Sequence, residues 1–320
     1  MIRGSLLVLA AMMPGAALHA AETPSANPPG WHLVWADEFD GDRIDPAKWV
    51  LADDCWGGNN NERQCYTSRP QNAAVRDGHL VITAQRETWT GPAFPFDQRK
   101  GNKAAATATK PFTSARLSTA SRAAFRYGRI EVRARLPQGQ GTWPAIWMLP
   151  EEWHYGGWAA SGEIDIMEAV NLGEPCAKNG QACGSDGREN GILGTIHFGG
   201  LPPANRYIGD VTQMPAPRDG FHVYAITWTP DGIRWAIDGV AYETRVPHEW
   251  HTTATSAPGA PFDRPFHIVL NLAFGGNLPE ERNRGGVDPA ITVRTMDVDW
   301  VHVSQCTPDP ADAALCGLGH

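Results

Sequence analysis

Positive charge is scarce in this chain. Lys and Arg number 27 against 35 Asp and Glu, a formal net charge of −8, and charged residues of both signs make up only 19% of the 320 positions. Nucleic acid and anionic membrane surfaces reward clustered Lys and Arg, so neither is an expected partner. Helical periodicity is equally scarce. No apolar pattern at i, i+3, i+4, i+7 is sustained, which excludes a helical bundle or coiled coil. No apolar run, the N-terminal one included, is long enough to span a bilayer. Familiar catalytic and cofactor loops are missing too: there is no G-x-S-x-G, no phosphate-binding loop and no C-x-x-C. His248-Glu-Trp-His251 places its histidines at i and i+3, where a zinc helix needs i and i+4. Asp40-Gly-Asp42-Arg-Ile-Asp45 lacks the spacing of a calcium loop and reads as a polar turn.

What the chain has in quantity is Gly (34), Pro (26) and Trp (13). Abundant Gly and Pro suit many turns and short strands. Abundant Trp in an acidic, turn-rich chain hints at sugar binding. The N-terminus opens with Arg3, an apolar run from Leu6 to Met13 and small residues up to Ala20, the signature of a signal peptide cleaved after residue 20. Secretion is therefore expected. Six Cys in an exported chain favour disulfides. Many connectivities are open to six Cys, and the simplest joins neighbours: Cys55–Cys65, Cys176–Cys183 and Cys306–Cys316.

Strict alternation recurs along the chain. In Tyr127–Leu136 the apolar set is Ile130, Val132, Ala134 and Leu136, with charged residues between them. Period two means a half-buried strand. Phe221–Val240 reads as a meander turning at Thr229-Pro-Asp-Gly232, and Leu80–Ala84, Phe266–Leu272 and Thr295–Val303 add further strands. The expected fold is an all-β jelly-roll sandwich of two antiparallel sheets. Residues 21–30 read as a leader, 31–305 as one domain and 306–320 as a short tail. Residues 88–110, polar and rich in Ala, Thr and Lys, read as a long surface loop.

The informative stretch is Ser161-Gly-Glu163-Ile-Asp165-Ile-Met-Glu168-Ala-Val170. On a regular strand Glu163 and Asp165 share a face, and Glu168 points the other way. A bulge, placed at Met167, returns Glu168 to their face. Three acids on one strand face repel one another, and burial raises each carboxyl pKa, so structure alone gives no reason for them. Glycoside hydrolysis gives one, because it needs two carboxyl groups flanking the scissile bond. A third between them tunes both. The Trp residues nearby in sequence point to a sugar-binding surface, not a solvated one.

Glu163-Ile-Asp165-Ile-Met-Glu168 resembles the E-x-D-x-x-E signature of glycoside hydrolase family 16, in its bulged, laminarinase-like form. The likeness extends through Trp35–Gly41, Asn60–Thr67, Thr113–Thr119, Trp143–Leu149, Gly194–Gly199 and Asn271–Gly276. It implies a jelly roll with a sugar cleft across one sheet. By position it implies Glu163 as nucleophile, Glu168 as acid/base and Asp165 as their modulator. Trp143 and Trp158 become stacking platforms, His197 a partner of the carboxylates, and Asn61 a sugar ligand on the donor side. Trp147 lies an even number of residues from Trp143, so a regular strand turns both to the cleft, with core packing the nearly matching alternative for it. Some family members carry structural calcium, and the matching positions are Glu38, the Gly78 carbonyl and Asp299. No cofactor is implied for catalysis. The expected enzyme is a secreted, monomeric, retaining endo-β-1,3-glucanase acting on β-glucan polysaccharide. The alternatives are a mixed-linkage β-1,3-1,4-glucanase and a non-catalytic glucan-binding protein. Presence of both Glu163 and Glu168 favours the enzyme.

Overall fold

The alternating run at Tyr127–Leu136 folds as a strand over Gly128–Arg135, with Ile130, Val132 and Ala134 buried. Its neighbours follow the same rule, and the result is a two-sheet β-sandwich. The structure is a computed structural model and describes residues 30–177, 180–283, 285–306 and 316–318. The candidate signal peptide, all of the leader but Gly30, and most of the tail lie outside those residues.

In chain order the first strands are β1 (Trp31–Asp37), β2 (Val50–Leu51), β3 (Gln64–Tyr66), β4 (Ala73–Arg76), β5 (His79–Pro92) and β6 (Thr107–Ser114). There follow β7 (Arg116–Ser118), β8 (Gly128–Arg135), β9 (Thr142–Pro150), β10 (Glu163–Glu168), β11 (Gly191–Gly199) and β12 (Asn205–Gln213). The last are β13 (His222–Thr229), β14 (Gly232–Ile237), β15 (Val240–Arg245), β16 (Phe266–Phe274) and β17 (Val293–Cys306), with a single short α-helix among the described residues, α1, at Asn277–Arg282. The ten-stranded sheet runs β15-β14-β13-β8-β17-β5-β6-β3, with β1 on β17 and β4 on β5. The seven-stranded sheet runs β12-β11-β10-β9-β16-β7-β2.

Between the sheets lies one core. Tyr224, Ile226, Trp228 and Trp235 enter it from the ten-stranded sheet; Ile146, Met148, Ile164, Ile268 and Leu270 enter from the other. Each fully buried large side chain contributes about 1.5–3 kcal/mol through removal of apolar surface from water. The meander is present as β13, β14 and β15, turning between Thr229 and Gly232. All three expected disulfides are formed: Cys55–Cys65, Cys176–Cys183 and Cys306–Cys316.

The fold departs from the sequence reading in two places. Residues 88–110 are not a plain loop: β5 and β6 continue into them as a hairpin, pairing Trp89 with Lys110 and Pro92 with Thr107. Only 93–106 form the tip. One face of this hairpin is open to water and the other only half-buried, so polar composition hides the strand, while Trp and Thr favour the pleat. The Arg69 guanidinium lies 4.0 Å above the Trp89 ring and anchors the hairpin's base. Nor are the sheets wholly antiparallel, because β3 pairs parallel to β6.

Candidate active site

Ile164, Ile166 and Met167 are buried in the core, which leaves the acids of β10 on the outer face of the seven-stranded sheet. The register slips by one residue between Asp165, opposite Trp147, and Met167, opposite Ile146. Ile166 is thus the residue that the pairing with β9 skips, one position before the Met167 inferred from spacing. Beyond the slip Glu168 pairs with Ala145 on one side and Leu193 on the other. The effect is to put Glu163, Asp165 and Glu168 at successive pleats of one face.

The slip is held from beneath. Trp235, fully buried and belonging to the opposite sheet, donates its indole N–H to the Asp165 carbonyl at 2.8 Å. Gly194 on β11 makes room for that indole. A Cβ at Gly194 would stand 2.6 Å from Trp235 Cδ1 and 2.6 Å from the Tyr242 hydroxyl. Trp235→Phe keeps the aromatic bulk and removes the donor. It is expected to lower kcat several-fold with little change in KM, since a hydrogen bond contributes about 1 kcal/mol net and this one orients the trio. Equal changes in both constants, or in neither, would refute that role.

Two indoles hold the outer carboxylates. Trp158 Nε1 donates to Glu163 Oε2 at 3.0 Å, and Trp143 Nε1 donates to Glu168 Oε1 at 2.9 Å. His197 on β11 faces Glu163 directly across the register. Its Nε2 lies 3.6 Å from Glu163 Oε1 and 3.2 Å from Asp165 Oδ2, off line for a hydrogen bond to the latter, and its Nδ1 is buried without a partner. Burial pushes all three acids up, and repulsion adds to it for Glu163 and Glu168. Glu163 rises to about 8, chiefly by burial and then by Asp165, against His197. Asp165 rises to about 8 by burial, and Glu168 to about 7 by burial and then by Asp165. Protons on such a trio belong to the group as a whole. Near neutrality it therefore holds at least one proton beside ionised carboxylate, the mixed state that acid and nucleophile roles require.

Trp147 shares the outer face with Asp165 and is partly exposed, with its indole N–H donating to Asn271 Oδ1 at 2.7 Å. Asn61 sits further off, in the loop bracketed by Cys55–Cys65. It donates to Asn277 Oδ1 at 2.7 Å and lines a recess of about 890 Å³ with Trp56, Glu62, Arg63, Lys110 and Glu280. Gly276 (φ 107°) lets this loop close onto the site: a Cβ there would lie 2.9 Å from the Asn60 carbonyl and 3.3 Å from Trp143. Sequence reasoning missed Trp235, Gly194 and Asn271. Trp235 carries no local signal, being one apolar residue in a meander.

Glycosyl hydrolases family 16 matches the chain over residues 60–302. The chain belongs to this family. It is 40% identical over 285 residues to the beta-glucanase of Rhodothermus marinus, covering 87% of each. It is 39% identical over 287 residues to glucan endo-1,3-beta-glucosidase A1 of Niallia circulans, covering 86% of this chain and 38% of that protein. The solved laminarinase of Rhodothermus marinus superposes with a TM-score of 0.68 at 38% identity, covering 87% of this chain and 99% of that one. The family 16 chain described here is a glycoside hydrolase.

Calcium was the remaining expectation. Asp299 receives Arg133 and lies 3.6 Å from His79 Nε2, while Glu38 Oε1 is 2.7 Å from His302 Nε2. Gly78 forms the turn between β4 and β5. Asp299 is already paired with a guanidinium and Glu38 with an imidazole, so the donor set as arranged does not fit a divalent cation.

Proposed function

We propose that this protein is a secreted, retaining endo-β-1,3-glucanase acting on laminarin-like glucans. One observation carries the reading: three carboxyls raised by burial on one bulged strand face, the outer two each held by an indole N–H. In the proposed double displacement Glu163 attacks the anomeric carbon while Glu168 protonates the leaving oxygen. The glycosyl–Glu163 ester then forms, and Glu168, now ionised, takes a proton from water as that water attacks the ester. Asp165 sits between them, and its charge state sets theirs. Trp143 and Trp158 combine a stacking face with the hydrogen bond that aims a carboxylate. Trp147, His197 and Asn61 complete the sugar contacts. These carboxyls perform the chemistry without a cofactor, and calcium is left out of the proposal because its expected ligands do not fit.

Linkage is supported by the 1,3-glucanase and laminarinase relatives and by the bulge itself. Secretion is supported by the N-terminal segment and three disulfides. The test is to incubate the protein with laminarin, curdlan, lichenan and agarose and to size products over time. The expected result is fast appearance of mid-sized oligosaccharides from laminarin. Vigorous cutting of agarose with none of laminarin refutes the linkage; preference for lichenan favours the mixed-linkage alternative; binding without products favours a glucan-binding protein.

A further inference from the structure

We propose that Tyr207 is a sugar-stacking platform on the leaving-group side of the scissile bond, an inference that rests on the glucanase reading. Its position follows from register. Glu163 pairs with His197, and His197 pairs with Tyr207, so the three share one row and one face across β10, β11 and β12. Strands lie about 4.8 Å apart, which puts Tyr207 about 10 Å from the nucleophile strand, measured across the sheet. The rings make a continuous run: Trp158 to His197 at 5.5 Å, His197 to Tyr207 at 5.8 Å.

Packing does not account for this tyrosine. It is 73% exposed, while the next residue, Ile208, turns to the core. The next residue on its own face is Gly209, which leaves bare backbone beside the ring. A Cβ at Gly209 would lie 2.3 Å from the Gly194 carbonyl, so that bare step is built into the strand pairing. An exposed aromatic beside a glycine step, with only the small Thr195 side chain next to it and in line with the reacting carboxylates, suits the apolar face of a pyranose ring.

The side follows from sheet order. Asn61 and its recess lie against Gly276–Asn277, at the end of β16, whereas Tyr207 lies two strands beyond β10 in the opposite direction. With Asn61 on the donor side, Tyr207 flanks the leaving group.

The experiment compares parent, Tyr207→Ala and Tyr207→Phe on two substrates. One is the polymer that the parent cuts fastest, so an error in the linkage shows in the parent alone and leaves the comparison valid. The other is the β-configured disaccharide fluoride of the same linkage, whose leaving group is too small to reach Tyr207. In Tyr207→Ala the ratio of kcat/KM on polymer to that on fluoride is expected to fall about five- to tenfold, the worth of one aromatic stacking contact. Transfer of the glycosyl group to added oligosaccharide should fall with it, and Tyr207→Phe should retain most of the ratio. An unchanged ratio in Tyr207→Ala overturns the proposal, whether both substrates suffer equally or neither does. Equal losses would instead mark Tyr207 as a positioning residue for His197.

Discussion

Glu168→Ala is expected to slow cleavage of laminarin by roughly 10²–10⁴-fold, and added azide to restore turnover of an activated aryl β-glycoside, with a β-glycosyl azide as product. The stereochemistry follows from the proposed roles. Without Glu168 an activated substrate still loads Glu163, because a good leaving group needs no proton. The ester then waits for a nucleophile that needs no general base. Azide is one, and it enters from the face the leaving group vacated, which returns the β configuration. Glu163→Ala should lose as much or more, with a different rescue. No ester forms, azide occupies the space of the missing carboxylate, and a single inversion on a β-linked substrate gives the α-glycosyl azide. Product analysis by NMR reads the anomer directly. The reverse assignment of anomers would exchange the two roles. Asp165→Asn should be slow yet give neither adduct in quantity, since Asp165 donates to no substrate bond.

The second large effect is on stability and runs with pH. Glu163 and Glu168 titrate ordinarily near 4.5 and Asp165 near 3.8, yet in the folded protein they stand at about 8, 7 and 8. The folded state thus binds protons more tightly than the unfolded one. Stability is fully present below the ordinary carboxylate range and is lost as pH rises through the folded values. In the unfolded chain these groups ionise from about pH 4 upward, and the folded site resists until pH 7 to 8. Glu163→Gln and Glu168→Gln remove one titrating member each while keeping shape and hydrogen-bonding capacity. Each should melt at least a few degrees above the parent at pH 8 and within error of it at pH 4. Melting curves across that range decide the matter, and parallel curves for parent and variants would show that the trio carries no such penalty. A gain in stability with loss of activity is the usual sign that a site is built against the fold's own preference.

Much of this was legible along the chain. Alternation in Tyr127–Leu136 and in the meander is a local property, set by which face of a pleat meets the core, so strands and sandwich could be read without coordinates. The three acids were legible because charge among Ile164, Ile166 and Met167 violates burial. Short Cys spacing likewise pointed to the three disulfides. What tertiary structure decided lies between residues far apart in sequence. The bulge falls at Ile166 because Trp235, 70 positions away, takes the Asp165 carbonyl from the opposing sheet. Asn61 is tied to Asn277 across 216 positions, and Trp147 to Asn271 across 124. Asp299 and Glu38, which the family resemblance marks as calcium positions, meet Arg133, His79 and His302 only once β1, β5, β8 and β17 are assembled. Tyr207 joins the row of Glu163 and His197 only through the register of β10, β11 and β12. Periodicity tells which face a side chain takes; only register and sheet packing tell which neighbours share that face, and the chemistry depends on the neighbours.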